Sequence, residues 1–201
     1  MEIATNLRKS AILFLFKNIS NVNTISSLAK ELKATRPGIW KVLKKLEEQK
    51  LIILESAGIG KKSTKIVNIS WNELLEKTIL LYLIEESLKQ KRWLDIFEDI
   101  KDNSEFVLLY GSILPSPKQA NDLDLICVVK NKNNFLKIDR SLVGIQKTQS
   151  KKIHLINFTK EEFLKELKSK NKAFIDAIKK GVILYGQENY INFIKTVKLG
   201  G

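Results

Sequence analysis

The stretch FVLLYGSILPSPKQANDLDLICVV, residues 106–129, sets two apolar runs on either side of a polar turn. Phe106 to Tyr110 and Leu123 to Lys130 are short, rich in branched and aromatic side chains, and read as strands. Gly111 and Ser112 follow the first strand, and Asp122 and Asp124 begin the second. Residues two apart in a strand share a face, so the two carboxylates converge. Such a pair repels itself unless a divalent cation neutralises it. Hard Mg²⁺ takes oxygen ligands of this kind together with nucleotide phosphates. Gly111 lets backbone approach those phosphates and Ser112 offers a hydroxyl.

Downstream, Lys152 to Phe158 reads as a further strand, followed by helices near 160–168, 171–180 and 188–197. Polar clusters at 131–134 and 168–172 read as loops. Residues 105–201 are therefore expected to form a mixed α/β domain. Upstream, residues 71–104 are helical, with a break near Lys89 to Lys91 and an apolar side wide enough for burial on two sides. The domain boundary is expected inside that segment. Before it, Leu51 to Glu55 and Lys65 to Ser70 read as a hairpin around a tip holding Gly58, Gly60, Lys61 and Lys62. Helices are expected over 6–19, from Thr24 with Ile25, Leu28, Ala29 and Leu32 on one face, and through Ile39, Val42, Leu43 and Leu46. On the third helix Pro37, Lys41, Lys44 and Glu48 point away from that apolar face. The fold class expected is α+β.

With 35 Lys and Arg against 22 Asp and Glu in 201 residues, the net charge is +13, which favours a polyanionic partner. The excess is denser in residues 1–70, which hold 13 basic and 5 acidic side chains. Cys127 is the single cysteine and cannot close an intramolecular disulfide. Ala11 to Phe16 is shorter than a signal-peptide core, and Thr78 to Ile84 is too short to cross a bilayer. A cytoplasmic protein without membrane attachment is the expectation.

The segment SSLAKELKATRPGIWKVLKKLEEQKLI, residues 26–52, with the hairpin after it, resembles the winged helix-turn-helix family, specifically regulators of the multiple-antibiotic-resistance type. The resemblance covers roughly residues 6–70. It implies binding to double-stranded DNA, with Arg36, Lys41, Lys44 and Lys45 on the recognition helix and Lys61 and Lys62 on the wing. It also suggests a homodimer, for which the Ile79 to Ile84 stretch is one interface; burial under the second domain explains that stretch equally well. Lys50 stands where the family often has Gly to end the recognition helix. The bland alternative is a helical packing module whose lysines only solvate it.

A Gly-Ser after one strand and an Asp-x-Asp on the next resemble the minimal nucleotidyltransferases, relatives of DNA polymerase beta, over roughly residues 90–201. The tail KKGVILYGQENY, residues 179–190, looks like the end of that domain. The resemblance implies that Asp122 and Asp124 bind Mg²⁺ or Mn²⁺ and serve catalysis, and that Gly111, Ser112 and Lys118 bind a nucleoside triphosphate. Three departures stand out. His154, the only histidine, occupies the place of a third carboxylate; Pro115 and Pro117 interrupt a helix that commonly carries Arg, leaving Lys118; and Asn121 replaces Ser. Glu161 and Glu162 after Thr159 read as helix capping, and Asp139 lies away from the pair. The expectation is a DNA-binding regulator with a domain that binds nucleotide and Mg²⁺. The alternative is an active transferase moving a nucleoside monophosphate to a hydroxyl of a protein or small molecule, including an antitoxin-like role toward a helical protein partner.

Overall fold

The computed structural model describes residues 2–18, 22–58, 64–169 and 171–199. The chain is mixed α+β and divides into two compact units, Met1–Tyr82 and Leu83–Gly201. Among the described residues no helix is long and apolar enough to cross a membrane.

The first unit opens with helices α1 (Glu2–Lys17), α2 (Ile25–Glu31) and α3 (Arg36–Glu48), followed by strands β1 (Ile52–Ala57) and β2 (Thr64–Ile69). Thr24 caps α2 by accepting from the Ser27 amide at 3.1 Å, while the Ser27 hydroxyl accepts from the Thr24 amide at 2.8 Å. Thr35 caps α3 through the Gly38 amide. Lys50 follows α3 in the left-handed region, at φ +58, a conformation that glycine adopts most readily. β1 and β2 pair antiparallel, Ile52 with Ile69 through Ala57 with Thr64. Ile12, Leu28, Ile39, Leu43, Leu46, Leu51 and Val67 are fully buried. Each such side chain contributes about 1.5–3 kcal/mol of transfer free energy.

Helix α4 (Glu73–Leu88) carries the division between units, and a turn at 89–90 separates it from α5 (Lys91–Ile96) and a 3₁₀ segment, Glu98–Asn103. In the second unit β3 (Ser104–Tyr110), β4 (Asp122–Val129), β5 (Lys152–Phe158) and β6 (Val182–Tyr185) make one sheet in the order β5-β4-β3-β6. β3 pairs antiparallel with β4 and β6; β4 and β5 pair parallel, joined by α6 (Asn134–Gln146). The sequence leaves the segment around Asp139 open between helix and loop, and the structure makes it α6; β6 is not marked in the sequence.

Both faces of the sheet are covered. On one, Val107, Leu109, Leu123, Leu125, Cys127 and Val129 pack with Trp93, Phe97, Ile100, Ile138 and Ile145. On the other lie α7 (Lys160–Lys168), α8 (Lys172–Lys180) and α9 (Gln187–Leu199). Phe106 there meets Phe163 at 5.3 Å and Tyr190 at 5.1 Å between ring centroids, and Phe163 meets Phe174 at 5.1 Å. Burial on two sides accounts for the continuous apolar run of β4.

Candidate functional site

Five polar side chains of the second unit gather where β3 ends and β4 and β5 begin. Register places Tyr110 opposite Asp124, Asp124 beside His154, and Asp122 beside Lys152. Partners in register share a face, so these five side chains form two adjacent rows on the face that carries α7, α8 and α9. The next row, Leu108, Ile126 and Ile156, begins the apolar remainder. Asp122 and Asp124 are half-buried, and Lys152 and His154 are exposed.

Asp124 is held by its surroundings. Nδ1 of His154 lies 3.5 Å from Oδ1 of Asp124. On the β3 side, Gly111 turns the chain at φ +83, and a methyl group there would overlap Oδ2 of Asp124. Glycine is thus needed twice, for the backbone angle and for the carboxylate seated against it. Burial and the Asp124 carboxylate together raise the Tyr110 phenol above its ordinary value.

The connection from Gly111 to Asn121 is a run of turns, not the helix that would follow a Gly-Ser in the resembled family. The Ser116 amide donates to the Ser112 carbonyl at 3.0 Å, and the Ala120 amide to the Ser116 carbonyl at 3.0 Å. Ile113 and Ala120 anchor the run in the core, and the Lys151 ammonium donates to the Ala120 carbonyl. Pro115 and Pro117 remove two amide donors, consistent with the absence of helix. Ser112 and Lys118 are both exposed on this run.

A cleft of about 630 Å³ opens between the start of the run and α8. Tyr110, Gly111, Ser112, Leu114 and Pro115 form one wall. The other is the face of α8 bearing Ala173, Asp176, Ala177 and Lys180. Lys118 is not among the lining residues. Lys180 and Asp176 are separated from the Asp pair by more than fifty positions, and nothing in their local sequence marks them. Lys152 escaped notice because its significance is its register with Asp122.

Among the described residues no group of three or more His, Cys, Asp and Glu side chains is placed to hold a metal ion unaided. Asp122 and Asp124 nevertheless fit a hard divalent cation that completes its shell from water and phosphate oxygens, as Mg²⁺ habitually does. The carboxylate of Asp124 already occupies the space left by the missing side chain of Gly111. Asp139 accepts from Asn157 Nδ2 at 3.1 Å, and Asn157 alternates with His154 to the opposite sheet face. Glu162 closes a capping box with Thr159. Its amide donates to the Thr159 hydroxyl, and its carboxylate accepts from the Thr159 amide at 2.8 Å.

In the first unit, Arg36, Lys41, Lys44 and Lys45 are all exposed on α3. Lys44 is shared: its ammonium lies 2.9 Å from Glu47 Oε2 and 5.0 Å from the centroid of the exposed Trp40 ring. The hydrogen bond to Lys44 holds the Glu47 carboxyl below its ordinary value. Trp40, an exposed aromatic among cations, is a feature the charge pattern alone did not single out. Lys61 and Lys62 lie outside the described residues. Compared with protein-family models, with curated proteins and with solved structures, the chain matches none of them.

Proposed function

We propose that this protein is a DNA-binding regulator whose second unit binds a nucleoside triphosphate with Mg²⁺ in a nucleotidyltransferase-type site. The observation that carries the reading is the pairing of Asp122 and Asp124 on one sheet face with Gly111 and Ser112 at the adjoining strand end. The cation would rest on the two carboxylates and offset phosphate charge, while the exposed Ser112 would meet the phosphate chain and Gly111 makes the room that the Asp124 carboxylate takes up.

Catalysis is the weaker half of the site. His154 stands in register with Asp124 where the resembled family places an acid, and a neutral imidazole lacks the charge of a carboxylate. Binding that adjusts an attached DNA reader therefore ranks above rapid transfer. For the first unit, the support is the three-helix and hairpin order, with Arg36, Lys41, Lys44 and Lys45 on one exposed helix. The α3 side chains would lie in the major groove of a duplex, their charges reaching phosphates.

The experiment is a combined binding and transfer assay with α-labelled nucleoside triphosphates and Mg²⁺ or Mn²⁺, on wild type and the Asp122→Asn, Asp124→Asn double variant. Binding that depends on the carboxylates, without transferred label, is the expected result. Label transferred by wild type and lost in the variant would instead establish an enzyme. Absence of both signals refutes the nucleotide reading.

A further inference from the structure

Resting on that reading, we propose that the cleft between the Gly111–Pro115 run and α8 is the nucleoside pocket of the site. Its volume of about 630 Å³ falls within the ordinary range of small-molecule pockets, roughly 300–1,000 Å³. Its chemistry suits a flat heterocycle and a sugar better than a phosphate chain. Leu114 and Pro115 line it together with Ala173 and Ala177, and Tyr110 adds an aromatic residue to the lining. Alanines four apart on α8 share a face and leave room that longer side chains would fill. Asp176 lies on the same face, and its carboxylate would repel phosphates but accept from a ring amino group or a ribose hydroxyl. Lys180, one turn further, donates to a ring acceptor.

The pocket also fixes the direction of the ligand. α8 is seated against β3, since a side chain at Gly181 would come within 2.6 Å of Leu108 Cδ1. The cleft therefore stands over the end of β3, next to Asp124 on β4. A nucleoside held there sends its phosphates past Ser112 to the Asp pair. On the strand beyond that pair, Lys152 stands in register with Asp122. This assigns Lys152, in place of Lys118, to the far end of the phosphate chain.

The test compares Mg²⁺-dependent binding of inorganic tripolyphosphate and of each nucleoside triphosphate to the full chain by calorimetry. For wild type, the best triphosphate should bind at least about 10-fold tighter than tripolyphosphate. Ala177→Phe, which fills the cleft, should bring that ratio near one while tripolyphosphate affinity stays within about 2-fold. Asp176→Asn, which conserves shape, should lower the ratio several-fold should the bulkier variant fail to fold. Photolabelling with an azido-nucleotide, read by mass spectrometry, should mark Ala173–Lys180 or Tyr110–Pro115. A wild-type ratio near one, a ratio unchanged in folded variants, or label confined elsewhere overturns the pocket while leaving the phosphate site standing. Failure of both ligands to bind removes the phosphate site as well.

Discussion

At the scale of single residues, two backbone positions make the sharpest statements. Lys50 adopts φ +58, a region that costs a side-chain-bearing residue roughly 1–2 kcal/mol. Lys50→Gly should raise unfolding stability by about 1 kcal/mol, after the extra chain entropy of glycine is subtracted. A urea denaturation midpoint equal to or below wild type would contradict this. Gly111→Ala should act in the opposite sense. It combines φ +83 with a methyl group in the place of the Asp124 carboxylate, so stability should fall by about 1–2 kcal/mol. Nucleotide affinity should fall together with stability, because Asp124 must shift. The sequence announced Gly111, Asp122 and Asp124 because strand spacing links them within fourteen residues. It was silent on Asp176, Lys180 and Lys152, whose proximity exists only after distant segments pack.

At the scale of elements, local rules and tertiary rules divide the outcome. Thr24, Thr35 and Thr159 each sit at the start of a helix and cap it, and that role is written in a few adjacent residues. Thr159→Ala should cost about 1 kcal/mol, seen as a lower denaturation midpoint, with Thr159→Ser close to wild type. β6 was missed for the converse reason. Val182 to Tyr185 is only four residues, set between Gly181 and Gly186, and its partner is β3 far upstream. The long helical stretch departs from the expectation of burial on two sides: Leu75, Ile79 and Leu83, four apart, form one fully buried stripe, whereas Leu74, Leu81 and Leu88 on the same helix are exposed. For α3, the DNA reading makes a quantitative demand. Lys41→Glu with Lys44→Glu should weaken duplex binding and reduce the slope of log affinity against log salt by about 2. Unchanged affinity and slope in a filter-binding or anisotropy titration would remove α3 from the interface.

At the scale of the whole molecule, burial of ionisable groups sets an alkaline stability profile. Burial lifts the Cys127 thiol from 9.0 to about 12. Burial, aided by Glu98 and Asp95, lifts the Tyr185 phenol from 10.0 to about 12. Tyr190 is raised as well, chiefly by burial. Above their ordinary values the unfolded chain has lost these protons while the native chain keeps them, so stability falls with pH. Lys198, lowered by burial from 10.5 to about 8, works in the opposite sense between those values. The profile should therefore rise slightly from pH 8 to 9, level off to pH 10 and drop steeply above. Urea midpoints across that range should trace this shape, and Cys127→Val should move the onset of the fall upward. The net charge of +13 raises the expectation of a polyanionic partner, but whole-chain arithmetic carries no information about where a cleft will open. The order of strands has one more consequence, for synthesis. β3 gains β4 almost at once, yet its other edge waits for β6, roughly seventy residues later. At about 5–20 residues per second, a ribosome leaves the Val107–Leu109 edge open for roughly 4–15 s. A nascent chain in that interval offers neighbouring polysomes a bare apolar strand edge, and crowded translation favours inclusion bodies over a closed sheet.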